Sequence, residues 1–171
     1  TSAYAVVYKG ETIALVKEHS VLAEAEILAA KKLNNPLCTA ELIKVNLNET
    51  LVGENNLVSA SKLADVMINH SENIVTAAVL KVNGSAVAVG KSVVPVENAI
   101  SEFLNDYKTQ SGTDNVEFLE EVTADKVFTL KSEVKNLPTV EDYFEFDKEN
   151  LSVKTLSTVT QTEEIPFETV E

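Results

Sequence analysis

Residues 79–91 read VLKVNGSAVAVGK. Two alternating apolar runs flank Asn83-Gly84, and the two positions of a tight I′ turn both need positive φ, which Asn and Gly tolerate. The stretch reads as a β-hairpin. A helix should follow it. Val96, Ala99, Ile100, Phe103, Leu104 and Tyr107 recur at helical spacing, Pro95 suits the first helical position, and Gly112 closes the end. Such a helix needs a sheet face on which to bury its stripe, so the expected fold class is α+β.

The same order stands earlier in the chain. Residues 3–33, AYAVVYKGETIALVKEHSVLAEAEILAAKKL, alternate, turn at Lys9-Gly10, return, and enter a helical pattern near Ser20. Leu22, Ala25, Leu28 and Ala29 supply that helix's apolar positions, and Asn34-Asn35-Pro36 stops it. Tyr4 and Tyr8 share one hairpin face, where packing on the helix is the expected role. A second correspondence follows without gaps. Residues 40–67 lie over 117–144, with Leu42 on Leu119, Val45 on Val122, Leu51 on Phe128 and Leu57 on Val134. Each reads as a strand, an irregular stretch and a short helix, with Thr139 and Asp142 as an N-cap arrangement in the second.

The expected organisation is therefore two tandem repeats of hairpin, helix, strand and short helix, at 1–73 and 74–146. A junction at Asp147–Asn150 then leads into an extended C-terminal strand within 147–171. About 70 residues can fold alone, though only marginally.

Composition limits the functions available. The chain has 171 residues, 44% of them hydrophobic, which is enough for a buried core. No apolar run approaches the ~20 residues that span a membrane, so no membrane insertion is expected. No signal-peptide pattern is visible, and the opening TSAYAVVYKG is compatible with a chain that begins past one. There are 27 acidic residues against 14 basic ones, all lysine, for a net charge of −13. Such a charge repels phosphate backbones, so no nucleic-acid partner is expected. A solvated acidic surface is the simpler account.

The groups that carry chemistry are sparse. Cys38 alone builds no intrachain disulfide, and it reads as a small buried hydrophobe in a cytosolic or a thiol-avoiding surface protein. His19 and His70 lie far apart without an H-x-H or H-E-x-x-H pattern, so no catalytic zinc site is expected. G-x-S-x-G is absent. Gly90-Lys91-Ser92 resembles the end of a P-loop, but Ser85 stands where the first glycine belongs. The pairs Glu24 with Glu26, Glu120 with Glu121, and Glu163 with Glu164 lack calcium-loop spacing and read as solvated faces. Asn48-Glu-Thr50 and Asn83-Gly-Ser85 match the glycosylation pattern, a match best ascribed to chance. No catalytic, cofactor-binding or metal residue is expected, and no cofactor.

Two stretches carry a family resemblance. YKGETIALVK and VLKVNGSAVAVGK, each followed by a helix, resemble the repeated hairpin–helix units in the N-terminal stalk of Gram-positive cell-wall proteins. Val159–Thr169, VTQTEEIPFET, looks like the opening strand of a G-five domain. In that family the stalk often precedes a lysostaphin-type zinc metalloendopeptidase domain. The resemblance implies an extracellular, cell-wall-associated spacer whose parent is a murein endopeptidase. Its partners would be peptidoglycan or adjoining domains of that parent. The alternative is an inhibitory or peptidoglycan-binding module that regulates a downstream peptidase. A stand-alone hydrolase using scattered carboxylates is a third reading, and it requires a cleft where they converge. No glycine lies beyond Gly112, and the peptidase's zinc motifs are absent, so the resemblance carries no site residue onto these positions.

Overall fold

A computed structural model describes residues 2–53, 56–153 and 159–161. The chain is α+β and forms two compact units. Unit 1 comprises Thr1–Thr76 with Phe128–Glu133; unit 2 comprises Ala77–Val127 with Val134–Glu171.

Unit 1 opens with the hairpin β1 (Ser2–Tyr8) and β2 (Glu11–Val16), turning at Lys9 (φ 49°) and Gly10 (φ 80°). Both signs are those a I′ turn demands. The strand β3 (Asn46–Leu51) pairs antiparallel on the other side of β1, giving the order β2-β1-β3. Alternation along β1 directs Tyr4, Val6 and Tyr8 to one face. That face meets the helix α1 (His19–Leu33) through Ala25, Ala29 and Leu33, and α3 (Ala60–His70) through Leu63, Ala64, Met67 and Ile68. Leu63 and Met67 are essentially fully buried, each contributing about 1.5–3 kcal/mol on transfer from water.

Asn34 ends α1 in the left-handed region at φ 46°. Asn35 then accepts the Leu37 N–H and caps a second short helix, α2 (Pro36–Ala40), which the sequence pattern assigned only to a helix stop. A buried Ser71 joins the pieces. Its hydroxyl donates to the Met67 carbonyl at 2.8 Å and accepts the Ile43 N–H at 3.0 Å.

In unit 2 the hairpin is β4 (Ile74–Val82) and β5 (Ser85–Gly90), with Asn83 at φ 51° and Gly84 at φ 82°. The strand β7 (Val122–Leu130) lies on the other side of β4, so the order is β5-β4-β7. The two hairpins even share an irregularity, a register shift between Val6 and Val7 in one and between Leu80 and Lys81 in the other. The helix α4 (Val93–Ser111) starts two residues before Pro95, with Ser92 at the N-cap. Proline is tolerated anywhere in the first turn, where N–H groups lack helical partners, so its position marked the turn rather than the residue. Gly112, at φ 74°, ends the helix as expected.

Beyond the strand order the units diverge. Where unit 1 has the eleven-residue α3, unit 2 has the single turns α5 (Lys131–Asn136, at the boundary) and α6 (Val140–Tyr143). Thr139 caps α6, its hydroxyl accepting the Asp142 N–H as the sequence suggested. Ser59 caps α3 in the same way. The gapless alignment that sets Leu42 on Leu119 puts Ser59 on Asn136, three positions short of Thr139, so the register drifts between the strands and these caps.

The stretch expected to be a junction is part of unit 2. Asp147 to Asn150 form the turn between β8 (Phe146–Asp147) and β9 (Ser152–Val153). Short strand β6 (Val116–Phe118) pairs antiparallel with β10 (Val159–Gln161), so the early part of the C-terminal segment is extended and paired within unit 2. The rest of that segment, including the TEEIPFET run, lies outside the described residues.

Candidate functional site

Concave surface in unit 1 gathers around α2. One groove, of about 320 Å3, is lined chiefly by Thr39, Leu42, Ile43, Val45 and Met67, with Glu26 and Lys44 at hand. A second, of about 370 Å3, is lined by Ala30, Asn34, Asn35, Pro36 and Thr39. Thr39 belongs to both. The cause is local: the left-handed Asn34 and the extended Asn35 turn the chain sharply between two helices, leaving hollows on either side of the new one. Ile27 and Leu37 stand exposed on α1 and α2. The polar groups lining these grooves are amides, a hydroxyl, one carboxylate and one ammonium, set among apolar side chains.

Cys38 sits on α2 but is fully buried, packed into the unit 1 core. Burial, and then the charge of Glu133, push its thiol pKa up. A thiol kept protonated is a poor nucleophile, and its packing accounts for it.

The two histidines are separated as the sequence suggested, and each meets a tyrosine of the first hairpin. His19, at the start of α1, lies against Tyr4 with ring centroids 4.2 Å apart. His70, at the end of α3, meets Tyr8 edge-on at 6.5 Å, and its Nδ1 lies 2.9 Å from the Val66 carbonyl. Tyr4 and Tyr8 pack against the core between them. Among the described residues, no group of three or more His, Cys, Asp and Glu could hold a metal ion.

Of the acidic pairs, two lie among the described residues. Glu24 and Glu26 are exposed on α1. Glu120 is half-buried, with Oε1 lacking a hydrogen-bond partner, whereas Glu121 is exposed and gives its backbone N–H to Asn83. Burial, followed by the Glu120 charge, raises the phenol pKa of Tyr143. Glu163 and Glu164 lie outside the described residues. Gly90-Lys91-Ser92 spans the end of β5 and the cap of α4, consistent with a hairpin exit.

The α2 grooves escaped the sequence reading. Asn35-Pro36 carried the signal, since an N-cap residue before a proline marks a helix start as well as the previous helix's stop. No family profile, curated protein or solved structure matches the chain. Among the described residues, no helix is long and apolar enough to cross a membrane.

Proposed function

We propose that this chain is a non-catalytic stalk or spacer of a Gram-positive cell-wall-associated protein, the parent being a murein endopeptidase. One observation supports the reading most: the chain divides into two compact units, each with its own buried core and the same strand order. Duplicated small units extend surface more readily than they assemble one asymmetric active site. The hairpin–helix pattern and the VTQTEEIPFET run supply the cell-wall context.

A second reading, a peptidoglycan-binding or inhibitory module, draws on the grooves beside α2. Cosedimentation with purified Gram-positive peptidoglycan separates the two. A spacer stays in the supernatant and releases no muropeptides. Saturable pelleting that is lost on Thr39→Trp, which places a bulky ring at the residue both grooves share, would replace the spacer by the binding module. Dose-dependent inhibition of a lysostaphin-type peptidase would replace it by the inhibitor.

A further inference from the structure

Asn83-Gly84 is the chain's only Asn-Gly pair, and both residues are exposed at the tip of the unit 2 hairpin. This dipeptide is the one most prone to intramolecular attack on a carboxamide, because glycine leaves the following nitrogen unhindered. A side chain at Gly84 would itself meet open space. The tip is also clamped. The Asn83 N–H donates to the Glu121 carbonyl at 2.8 Å, and the Glu121 N–H returns a bond to Asn83 Oδ1 at 3.0 Å. The clamp fixes both the main chain and the carboxamide of Asn83.

We propose that Asn83 is a conformationally gated deamidation site, shielded while the Glu121 clamp holds the hairpin tip and reactive once the tip opens. The shielding is geometric. With φ at 51° and ψ near the I′ value of about +30°, the Gly84 nitrogen lies nearly anti to the Asn83 Cβ. The nitrogen is then out of reach of Cγ; pairing of Val82 with Ser85 resists rotation about ψ, and the Asn83 bonds to Glu121 hold the carboxamide away from that nitrogen. When the tip opens, the deprotonated Gly84 nitrogen attacks Cγ. The N–Cγ bond forms, the Cγ–Nδ2 bond breaks, and ammonia leaves after taking a proton from water. Water then opens the five-membered succinimide at either carbonyl, restoring the Gly84 N–H and leaving an aspartyl or isoaspartyl residue. The isoaspartyl form inserts a methylene into the main chain, which a two-residue turn cannot absorb. The first hairpin has Lys9 at this position and no such chemistry.

The test is an incubation of the full chain at mildly alkaline pH, followed by mass analysis of the tryptic peptide 82–91. In the native chain, conversion should run roughly tenfold or more slower than in denaturing urea, because attack must wait for local opening. Glu121→Pro deletes the N–H that holds Oδ1 and should raise the native rate several-fold, with circular dichroism reporting that the chain stays folded. Equal rates in buffer and urea would overturn the proposal, as would an unchanged rate in folded Glu121→Pro. If that variant does not fold, Val96→Ala decides. It loosens unit 2 away from the tip, so a raised rate supports the gate and an unchanged rate overturns it.

Discussion

Units 1 and 2 begin alike and finish their cores by different means. In unit 1, α1 presents alanines, Ala25 and Ala29, to the sheet and to α3. Small side chains admit a neighbouring helix at close range, and α3 closes the core with Leu63 and Met67. In unit 2, α4 presents Phe103 instead, and only the single turn α6 stands in for α3. The space is filled by rings: Phe144, Phe146 and Phe118 lie 5.2, 5.6 and 5.8 Å from Phe103, and Tyr107 lies 5.5 Å from Phe146. One hairpin–helix frame can thus be closed by a second helix or by aromatic residues gathered from short strands and a helix end. What decides is the size of the side chain at the helix's inner face.

The comparison breaks most sharply at these centres. Phe103→Ala should cost about 3–5 kcal/mol, and Leu63→Ala about 2–5 kcal/mol. Urea denaturation followed by near-ultraviolet dichroism checks both. Phe103→Ala should abolish the aromatic signal of unit 2, whereas Leu63→Ala should leave it in place. If both variants lose the same signal together, the two cores are not separate structures.

Local chemistry made much of this legible in the sequence. Asn83-Gly84, Lys9-Gly10, Gly112 and Thr139 act through their own φ angles or a cap bond, so their roles showed in short windows. The α+β class followed from the change of period after each hairpin. The aromatic cluster did not show, because Phe103, Phe118 and the pair Phe144 and Phe146 come from three separate segments and no single periodicity links them. Asp147–Asn150 read as a junction because a polar cluster marks a tight turn and a linker equally well. The grooves beside α2 depend on how two helices are set around Asn34, a tertiary fact that composition does not carry.

A middle tier of effects comes from close packing. Gly90 ends β5 where a Cβ would sit 2.6 Å from Cγ2 of the fully buried Val96. Gly90→Ala should therefore cost about 1–3 kcal/mol through overpacking. In unit 1, Ser71→Ala leaves the Ile43 N–H buried without its acceptor, for a similar cost of about 1–3 kcal/mol. Thermal unfolding checks the pair. A neutral Gly90→Ala would mean that α4 can shift away from β5, and the tight approach would lose its meaning.

The two turns give a finer contrast. Asn83→Lys loses the residue best suited to positive φ and the bond to Glu121, and should cost about 1–2 kcal/mol. Lys9→Asn gains the better turn residue but loses the Lys9 ammonium 5.3 Å over the Tyr8 ring, terms of about 1 kcal/mol or less that nearly cancel. Urea midpoints at constant m should show this asymmetry. Equal and opposite shifts would mean that the Glu121 clamp contributes nothing.

The smallest effect lies at the β8–β9 turn. The Asp147 carboxylate accepts the Asn150 side-chain amide at 2.9 Å and the Glu149 and Asn150 N–H groups at 3.0 and 3.3 Å. The side-chain bond from Asn150 is the largest of the causes that hold its pKa below the ordinary carboxylate value. A depressed folded-state pKa means that the turn's stabilisation is fully present above the ordinary value and is lost as pH falls through the lower, folded one. Asp147 is half-buried in a short surface turn, so the consequence is local. The amide shifts of Glu149 and Asn150, followed by NMR down an acid titration, should move with a midpoint below the usual carboxylate range. The same amides should be flat in Asp147→Ala. A midpoint at the ordinary value would show that these bonds do not favour the ionised form, and the turn would owe its shape to Leu151, which sits at φ 51°.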